Sequence, residues 1–367
     1  MKLKNIAGIA ALLFSTLAAA RATNTTLTFQ PGHLAVLRAG DGFTDLAGKQ
    51  APIFVDQYDT NGANNGTGPS VTVAIPTNGT PSWPSTTCPL FFNGQAATEG
   101  NMTRSADRTV ITWSGYAAPV NNFGGTPSGL GIDRGICTID AFTNYNVPYE
   151  GQNWFGGLTS GKTNPRGIAT DGTNNFWGSG GTFGVKYFDG SDDPYQIEPL
   201  ASTRDIRILN GKLYTSINAG DAGVNGGYYY PAGVYSFEDF YNNPVDLPTA
   251  FSGLKLEIQA QAPYTAIVSF EINPQGTVAY VTDTAQGVQK YTKSGGAWQF
   301  AYNFSIPQNI PASLNNANGC YGLAVDWSGP VPVIYATTTE GYGGNVNSNL
   351  RRKSTGGQTE IFPRGNC

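Results

Sequence analysis

The sequence is poor in the side chains on which most enzyme chemistry depends. Among its 367 residues there is one histidine, His33, and only 13% of the residues are charged. A Ser-His-Asp triad would have to use His33, which directly follows Pro31-Gly32, and no G-x-S-x-G elbow is present. One histidine and four widely spaced cysteines do not make the usual zinc ligand set. The sequence therefore disfavours triad hydrolysis and zinc chemistry, and we expect no metal and no cofactor.

Long apolar runs and basic clusters are also scarce. The apolar run Ile6–Leu17 follows two lysines and precedes Ala20-Arg21-Ala22, a pattern that predicts a signal peptide over residues 1–22 and one mature domain over 23–367. The alternative is a buried N-terminal helix, and the run is too short to span a membrane. The net charge of −4, with no basic cluster beyond Arg351-Arg352-Lys353, argues against nucleic acid. We predict a protein that is secreted or stays in the secretory-pathway lumen, without a membrane span.

The cysteines and glycosylation motifs fit this route. Four cysteines suit an oxidising compartment, and none has CxxC spacing. They are Cys88, Cys137, Cys320 and Cys367. Five N-x-S/T sequons are potential acceptors for N-linked glycans. Their asparagines are Asn24, Asn65, Asn78, Asn101 and Asn303.

The composition that remains favours strands and turns. Glycine (48 residues) and proline (23) are abundant, together with tyrosine and phenylalanine. A recurring frame consists of alternating apolar residues, a turn with Asp or Asn, and an aromatic-bearing strand. It occurs as TRSADRTVITWSGY (103–116), RGIATDGTNNFWGSGG (166–181), RDIRILNGKLYTSIN (204–218), SFEINPQGTVAYVTDTAQGVQKY (269–291) and YGLAVDWSGPVPVIYATTTE (321–340). The sequence predicts an all-β protein built from repeated units.

A third strand of the form Gly-Val-x-x-aromatic follows three of these units, at 184–188, 233–237 and 287–291. Small antiparallel units of this kind bury their faces against one another around an axis, as in a β-propeller. A degenerate unit over 33–76 raises the predicted number of blades to six, and a seventh between 115 and 157 stays open. Ring closure would bring TEIF (359–362) and TLTF (26–29) into one blade, because an open ring leaves two exposed sheet edges.

Candidate site residues follow from an alignment of the units on the Asp or Asn after each first strand. Those turn residues are Asp107, Asp171, Asn210, Asn273 and Asp326. The alignment makes Arg166, Asp205 and Tyr321 equivalent, with Arg104, Arg204, Arg207 and Glu271 within two positions. These charges either form salt bridges along the channel or provide donors for a ligand. Aromatic residues near strand ends or in long loops either pack the rim or form the wall of a ligand site. They are Trp177, Tyr228, Tyr229, Tyr230 and Tyr342.

Two phrases resemble a group of secreted microbial propellers. HLAVLRAGDG…APIFVDQYDTNG and ATEGNMTRSADRTVITWSGY are similar to the group's "LVVLRVGDG…VFLDEY" and "SEG…TRSADG". The group includes fungal hetero-Diels-Alderases of tropolone–sesquiterpene (meroterpenoid) biosynthesis. The resemblance implies a cofactor-free cycloaddition between two small apolar substrates, a tropolone-derived o-quinone methide and a humulene-type alkene. No catalytic motif of those enzymes is matched here.

Under this resemblance we expect one pocket at the channel mouth. Arg166 or Arg204 would donate to the enone oxygen, oriented by Asp205 or Glu271, and the substrate-binding residues would be Trp177, Tyr230 and Tyr321. The alternatives are a carbohydrate- or surface-binding propeller without catalysis and a lactonase-like hydrolase. The hydrolase would need a calcium ion held by residues such as Glu271, Asn273 and Asp205. The sequence leaves open whether the chain acts alone or as a homodimer.

We predict the disulfides Cys88–Cys137 and Cys320–Cys367. Each closes a loop of fewer than 50 residues, which on loop-entropy estimates contributes about 3–4 kcal/mol to the free energy of unfolding. Peptide mapping of the secreted protein under non-reducing conditions should recover these two linked pairs. A peptide joining Cys88 to Cys320 or to Cys367 would contradict the pairing.

Overall fold

The structure, a computed structural model, is built from β-strands. No helix occurs in the part of the chain that it describes. That part comprises residues 27–41, 46, 49–60, 69–94, 96, 98–120, 131–155, 163–181, 184–198, 202–218, 230–262, 266–304, 319–338 and 358–361. The predicted signal peptide, Asn24, Asn65, Cys367, Tyr228, Tyr229 and Tyr342 lie outside the described residues.

The strands form successive antiparallel units. The first unit contains β1 (Leu34–Ala39), β2 (Gln50–Tyr58) and β3 (Val71–Ala74). The second contains β4 (Leu90–Asn93), β5 (Thr103–Arg104), β6 (Val110–Ala117), β7 (Arg134–Asp140) and β8 (Tyr145–Gly151). The third contains β9 (Pro165–Thr170), β10 (Phe176–Gly180), β11 (Val185–Phe188) and β12 (Tyr195–Glu198).

The remaining strands continue this order. The fourth unit contains β13 (Thr203–Leu209), β14 (Lys212–Ile217), β15 (Gly233–Glu238), β16 (Pro244–Val245) and β17 (Gly253–Gln259). The fifth contains β18 (Ile267–Ile272), β19 (Val278–Asp283), β20 (Gly287–Ser294) and β21 (Ala297–Phe304). The sixth contains β22 (Cys320–Asp326) and β23 (Val333–Thr338), and β24 (Gln358–Ile361) ends the order.

The units are arranged as a β-propeller, as the repeats predict. The first strands β9, β13, β18 and β22 contact one another in succession, and β5 contacts β9 on one side and β24 on the other. Each of the third, fourth and fifth units is a separate sheet of four or five strands that runs outward from its first strand. All three Gly-Val-x-x-aromatic segments contribute a third strand, namely β11, β15 and β20.

The number of blades stays a prediction. The first two units join with β24 in one nine-stranded sheet, because β2 pairs with β3 through Phe54–Gln57 and with β4 through Gln50–Pro52. The sixth unit has two described strands. Units of about four strands therefore recur, but their boundaries are not sharp at either end of the chain.

Ring closure joins an N-terminal strand to the C-terminal strand. β24 pairs antiparallel with β1, in the register Leu34↔Ile361 and Leu37↔Gln358. The amide of Phe29 donates to the carbonyl of Ala141 in the second unit at 2.8 Å. The prediction that the C-terminal strand closes the ring is confirmed, and the sharing of its blade with residues 26–29 stays a prediction.

A β-bulge recurs on four consecutive first strands, with two residues opposite one residue of the second strand. The bulges are Arg166-Gly167 opposite Ser179, Arg204-Asp205 opposite Ser216, Val268-Ser269 opposite Thr282, and Tyr321-Gly322 opposite Thr337. The opposing residue carries a hydroxyl in every case. A bulge leaves one residue outside the ladder, so a side-chain acceptor is needed for its amide.

These hydroxyls connect neighbouring blades. Ser179 Oγ accepts from the amide of Gly167 at 2.8 Å and donates to the carbonyl of Arg204 in the next blade at 2.7 Å. Ser216 and Thr282 repeat both bonds, and Thr337 repeats the first. Ser216 Oγ accepts from the Asp205 amide and donates to the Val268 carbonyl. Thr282 Oγ1 accepts from the Ser269 amide and donates to the Tyr321 carbonyl. Thr337 Oγ1 accepts from the Gly322 amide. One side chain thus satisfies backbone groups of two blades.

The three described cysteines are buried side chains. Cys88 and Cys137 are fully buried in one hydrophobic cluster of the first two units, and no disulfide joins them in this structure. Cys320 is buried in a separate cluster beside Leu323 and Val325. The pairing stays a prediction.

One sequon does not fit the fold. Asn101 is fully buried, its amide donates to the carbonyl of Arg166 at 2.9 Å, and its Nδ2 donates to the carbonyl of Arg204 at 2.9 Å. A glycan needs this same nitrogen and access to solvent, so the expectation for Asn101 is wrong. Asn78 and Asn303 are exposed, and their glycosylation stays a prediction.

The shared hydroxyls predict a measurable loss of stability. Ser216→Ala should lower the free energy of unfolding by about 1–3 kcal/mol, because it leaves the buried Asp205 amide and Val268 carbonyl without their partner. Urea unfolding measures this change. Ser216→Thr should retain the stability, because it keeps the hydroxyl that Thr282 uses in the equivalent position. Ser294→Ala, at an exposed site, is the control. Equal stability of Ser216→Ala and Ser294→Ala would contradict the bridging role.

Candidate functional site

The bulges correct the alignment that the sequence suggested. Arg166, Arg204, Val268 and Tyr321 occupy the first bulge position, whereas Asp205 occupies the second. The error of one residue arises because the two turns differ in length. Asn210-Gly211 is a two-residue turn, since Leu209 lies opposite Lys212. The turn that contains Asp171-Gly172 has five residues, since Thr170 lies opposite Phe176. Counting back from the turn therefore reaches Asp205 instead of Arg204.

A buried ionic network joins the fourth, fifth and sixth units. Arg207 Nε donates to Asp205 Oδ2 at 2.7 Å, and its Nη1 donates to Glu271 Oε1 at 2.6 Å. Its Nη2 donates to Ser269 Oγ at 3.0 Å and to the carbonyl of Leu323 at 3.3 Å. Ser269 Oγ in turn donates to Asp205 Oδ2 at 2.7 Å. The structure thus brings the predicted site residues Asp205 and Glu271 together, and the arginine that they orient is Arg207.

A cleft of about 260 Å³ opens on the axis beside this network. Its wall includes Arg104 of β5, Arg207 of β13, Glu271 of β18 and Trp327 just after β22. Burial raises the pKa of Glu271, while the nearby guanidinium groups of Arg207 and Arg104 lower it. Trp327 Nε1 is buried and has no hydrogen-bond partner among the described residues. The cleft wall therefore combines two cations and one carboxyl group with the side chain of Trp327.

The two arginines that the sequence predicted as donors do not line this cleft. Arg166 is buried, and its Nη1 donates to Ser202 Oγ at 3.0 Å and to the carbonyl of Thr203 at 2.6 Å. Arg204 is half-buried at the adjacent bulge. Arg166 thus links the third unit to the start of β13, which is a structural contact between blades.

The predicted aromatic wall is not formed. Trp177 is only 1% exposed, and its Nε1 donates to the carbonyl of Pro248 at 2.7 Å, so it is a core residue. Tyr230 packs edge-on against Tyr235 at 5.8 Å between ring centroids. Tyr321 is buried against Val268 on the first strands. The three residues belong to three different clusters and share no ligand surface.

Glu99 is a buried carboxyl group that was not among the residues predicted from the sequence. The Tyr116 hydroxyl donates to its Oε1 at 2.7 Å, and the amide of Asn93 donates to its Oε2 at 3.1 Å. Arg134 lies over the Tyr116 ring at 4.8 Å. Burial raises the pKa of Glu99 to about 7, against the opposing effect of these hydrogen bonds and of Arg134 and Arg166. The only signal in the sequence was its place in the phrase ATEGNMTRSADR.

The described residues contain no group of three or more His, Cys, Asp or Glu side chains that could hold a metal ion. Glu271 and Asp205 meet at Arg207, while the Asn273 side chain accepts from the amides of Thr277 and Val278 in its own turn. The three side chains therefore do not converge as the calcium site of the lactonase alternative would require. In the same part of the chain, no helix has the length and apolarity needed to cross a membrane.

Comparison with known proteins finds similarity of fold. No protein-family model matches the chain, and no curated protein matches its sequence. Similar solved structures include the major allergen Mala s 1 of Malassezia sympodialis, at 11% identity and a TM-score of 0.47 over 91% of this chain and 90% of that one. The periplasmic gluconolactonase PpgL of Pseudomonas aeruginosa has 13% identity and a TM-score of 0.45 over 84% and 77%. TolB of Acinetobacter baumannii has 10% identity and a TM-score of 0.43 over 90% and 67%. A gluconolactonase is a protein of the kind named in the lactonase-like alternative, but likenesses at these identities concern the fold alone.

The position of Glu99 predicts a pH dependence of stability. Its ordinary pKa of 4.5 applies to the unfolded chain, and its pKa in the folded protein is about 7. The contribution of Glu99 to the free energy of unfolding is fully present below pH 4.5 and is lost as the pH rises through about 7. The reason is that the unfolded chain releases the Glu99 proton at a lower pH than the folded protein does. At 1.36 kcal/mol per pKa unit, the free energy of unfolding should fall by about 3 kcal/mol over this range.

Urea unfolding at pH 5 and pH 8 tests this dependence. Glu99→Gln should remove most of it, because the amide can still pair with Tyr116 and Asn93 without ionising. Other titrating groups are common to both proteins and cancel in the comparison. Parallel pH profiles for the wild type and Glu99→Gln would contradict the assignment.

Proposed function

We propose that this chain is a secreted, cofactor-independent hetero-Diels-Alderase that joins a tropolone-derived o-quinone methide to a humulene-type sesquiterpene. The observation that carries the proposal is the arginine-lined cleft on the propeller axis, with its charges held by a buried network. The resemblance of the two N-terminal phrases to secreted propellers supports the choice of reaction.

The reaction makes few chemical demands on the protein. One C–C and one C–O bond form between the diene C=C–C=O and the alkene, and no atom leaves. The protein therefore has to hold the partners at near-attack geometry, exclude water from the quinone methide and stabilise the charge that develops on its oxygen. None of these tasks requires a nucleophile.

Arg104 is the donor in this proposal. It lies half-buried on β5 at the cleft wall, and its guanidinium is close enough to Glu271 to lower the pKa of that carboxyl. Arg207 has all its nitrogens engaged by Asp205, Glu271, Ser269 and Leu323, so it acts as a fixed positive charge behind the cleft. The Trp327 side chain lines the same cleft, but its buried Nε1 is not exposed to a ligand.

Because the cleft is small, we propose that the two reactants bind in different places. Its volume of about 260 Å³ lies just below the ~300–1,000 Å³ of typical drug-sized sites. The compact tropolone-derived ring would occupy the cleft with its oxygen toward Arg104, and the larger terpene would lie across the open side. The selectivity of the proposed enzyme would then reside in how the rim presents one face of the alkene.

A lactonase-like hydrolase is the second candidate, and Glu271 is the observation that favours it. A carboxyl group whose pKa is raised by burial is a stronger base toward water than an ordinary carboxylate. A hydrolase of this kind would lose activity in Glu271→Gln, whereas a cycloaddition would depend on Arg104. The two candidates thus differ in the residue on which activity depends.

The test is the cycloaddition itself. The purified protein, a quinone-methide precursor and humulene alcohol are mixed, and product yield and stereochemistry are compared with a reaction without protein. Arg104→Leu should reduce the rate by about 10²–10³-fold, the usual effect of removing one oxyanion donor. Arg104→Lys should retain part of the activity, because it keeps the charge but not the planar fork.

Lys49→Met removes an exposed cation from the first unit and serves as the control. A wild-type rate equal to the spontaneous reaction would reject the cycloaddition for these substrates. A binding protein without catalysis would give that same result while still retaining the ligand. Full activity of Arg104→Leu would show that the donor lies elsewhere.

A further inference from the structure

A second cavity lies between the fourth and fifth units, outside the axial cleft. This outer groove has a volume of about 420 Å³, within the ~300–1,000 Å³ range of small-molecule sites. The fourth unit contributes the side chains of Lys212, Tyr214, Ser236, Asp246, Lys255 and Glu257 to it. The fifth unit contributes the turn 274–276, Lys293 and Trp298.

The outer groove is separate from the proposed reaction site. Asn210, Ile272 and Pro274 line both cavities and form the wall between them. Asn210 Nδ2 donates to the carbonyl of Asn273 at 2.9 Å, which fixes this wall. Arg104, Arg207 and Glu271 do not line the groove. A ligand held there is therefore not a substrate of the axial site.

The charges in the outer groove are mixed. Lys212 Nζ lies 3.1 Å from Asp246 Oδ1, and Lys255 Nζ lies 3.8 Å from Glu257 Oε1. Glu257 Oε1 also accepts from Ser236 Oγ at 2.9 Å. Three lysines against two carboxylates leave one excess positive charge. A simple cation, or a compact anion with several charges at one point, would each meet like charges at short range.

Lys293 carries the excess charge. Its Nζ lies 5.3 Å from the centre of the Trp298 ring. Lys212 and Lys255 form the salt bridges of the groove. Among the described residues, Lys293 forms none. A cation over an aromatic ring can still bind a carboxylate on its open side, because an ammonium has three donors.

Two aromatic side chains provide the apolar part of the lining. Trp298 and Tyr214 are half-buried, so each shows part of its ring to the groove. Burial, followed by the nearby Glu257 and Asp246, raises the pKa of Tyr214 to about 12. Its hydroxyl therefore stays protonated in ordinary solution and can both donate and accept.

We infer that the outer groove binds a short saccharide that carries a carboxylate, such as an oligouronide. Sugar hydroxyls are donors and acceptors at once, so they suit a wall on which ammonium, carboxylate and hydroxyl groups alternate. The C–H faces of a sugar ring pack on aromatic side chains such as Trp298 and Tyr214. One carboxylate of the ligand would bind Lys293 and balance the single excess charge, while the carboxylates on the other sugar rings would face solvent.

Binding of trigalacturonate by isothermal titration calorimetry tests this inference, with cellotriose as the neutral probe. We expect trigalacturonate to bind and to weaken with added salt, and cellotriose to bind at least tenfold more weakly. Quenching of tryptophan fluorescence on binding should disappear in Trp298→Phe. Lys293→Met should reduce the affinity for trigalacturonate at least tenfold, while Lys49→Met at an exposed remote site leaves it unchanged.

Three results would overturn the inference. They are no binding of trigalacturonate, equal losses in Lys293→Met and Lys49→Met, and equally tight binding of a triglutamate peptide. The last two would indicate attraction to diffuse positive charge. Arg104→Leu is expected to bind trigalacturonate normally, so failure of the cycloaddition and failure of this inference are observed separately.

Discussion

The buried guanidinium of Arg207 is the interaction on which the axial region depends. It is 3% exposed, and a charge in such a place is tolerated only when its donors are paired. Its partners come from three first strands: Asp205 on its own strand, Ser269 and Glu271 on the next, and the carbonyl of Leu323 on the third. None of these strands can slide along its neighbour without leaving a charge unpaired. The same constraint gives the axial cleft a fixed wall.

The shared hydroxyls supply the backbone counterpart of this network. The third, fourth and fifth units are separate sheets without ladder hydrogen bonds between them, so their first strands need another means of alignment. The bulge provides it, because its spare amide requires a side-chain acceptor and that acceptor can donate onward to the next blade. Ser179 and Ser216 show that a small hydroxyl residue opposite each bulge is enough. The need for a hydroxyl opposite each bulge explains why serine and threonine recur near the axis without a part in the proposed reaction.

Much of the fold was predictable from the sequence, because strand alternation and turn chemistry are local. The Gly-Val-x-x-aromatic segments mark third strands, and Asn210-Gly211 marks a hairpin, without any tertiary information. The site was less predictable, because a bulge changes the register by one residue and leaves no signature in composition. Counting from the turn therefore put Asp205 in the place of Arg204. Trp177 was misassigned for a related reason: a strand-end aromatic can face the core as readily as a ligand, and the carbonyl of Pro248 that it binds is 71 residues away.

The second unit contributes to the axial cleft through one short segment. Asn101 precedes β5, and its backbone amide and Nδ2 donate to the carbonyls of Arg166 and Arg204, so this segment is fixed against the third and fourth units. The same segment continues into Arg104, which places a cation in the cleft wall. The hydrogen bonds of Asn101 and the arginine proposed for catalysis belong to one short stretch, so the contacts between these units also determine where the proposed donor lies.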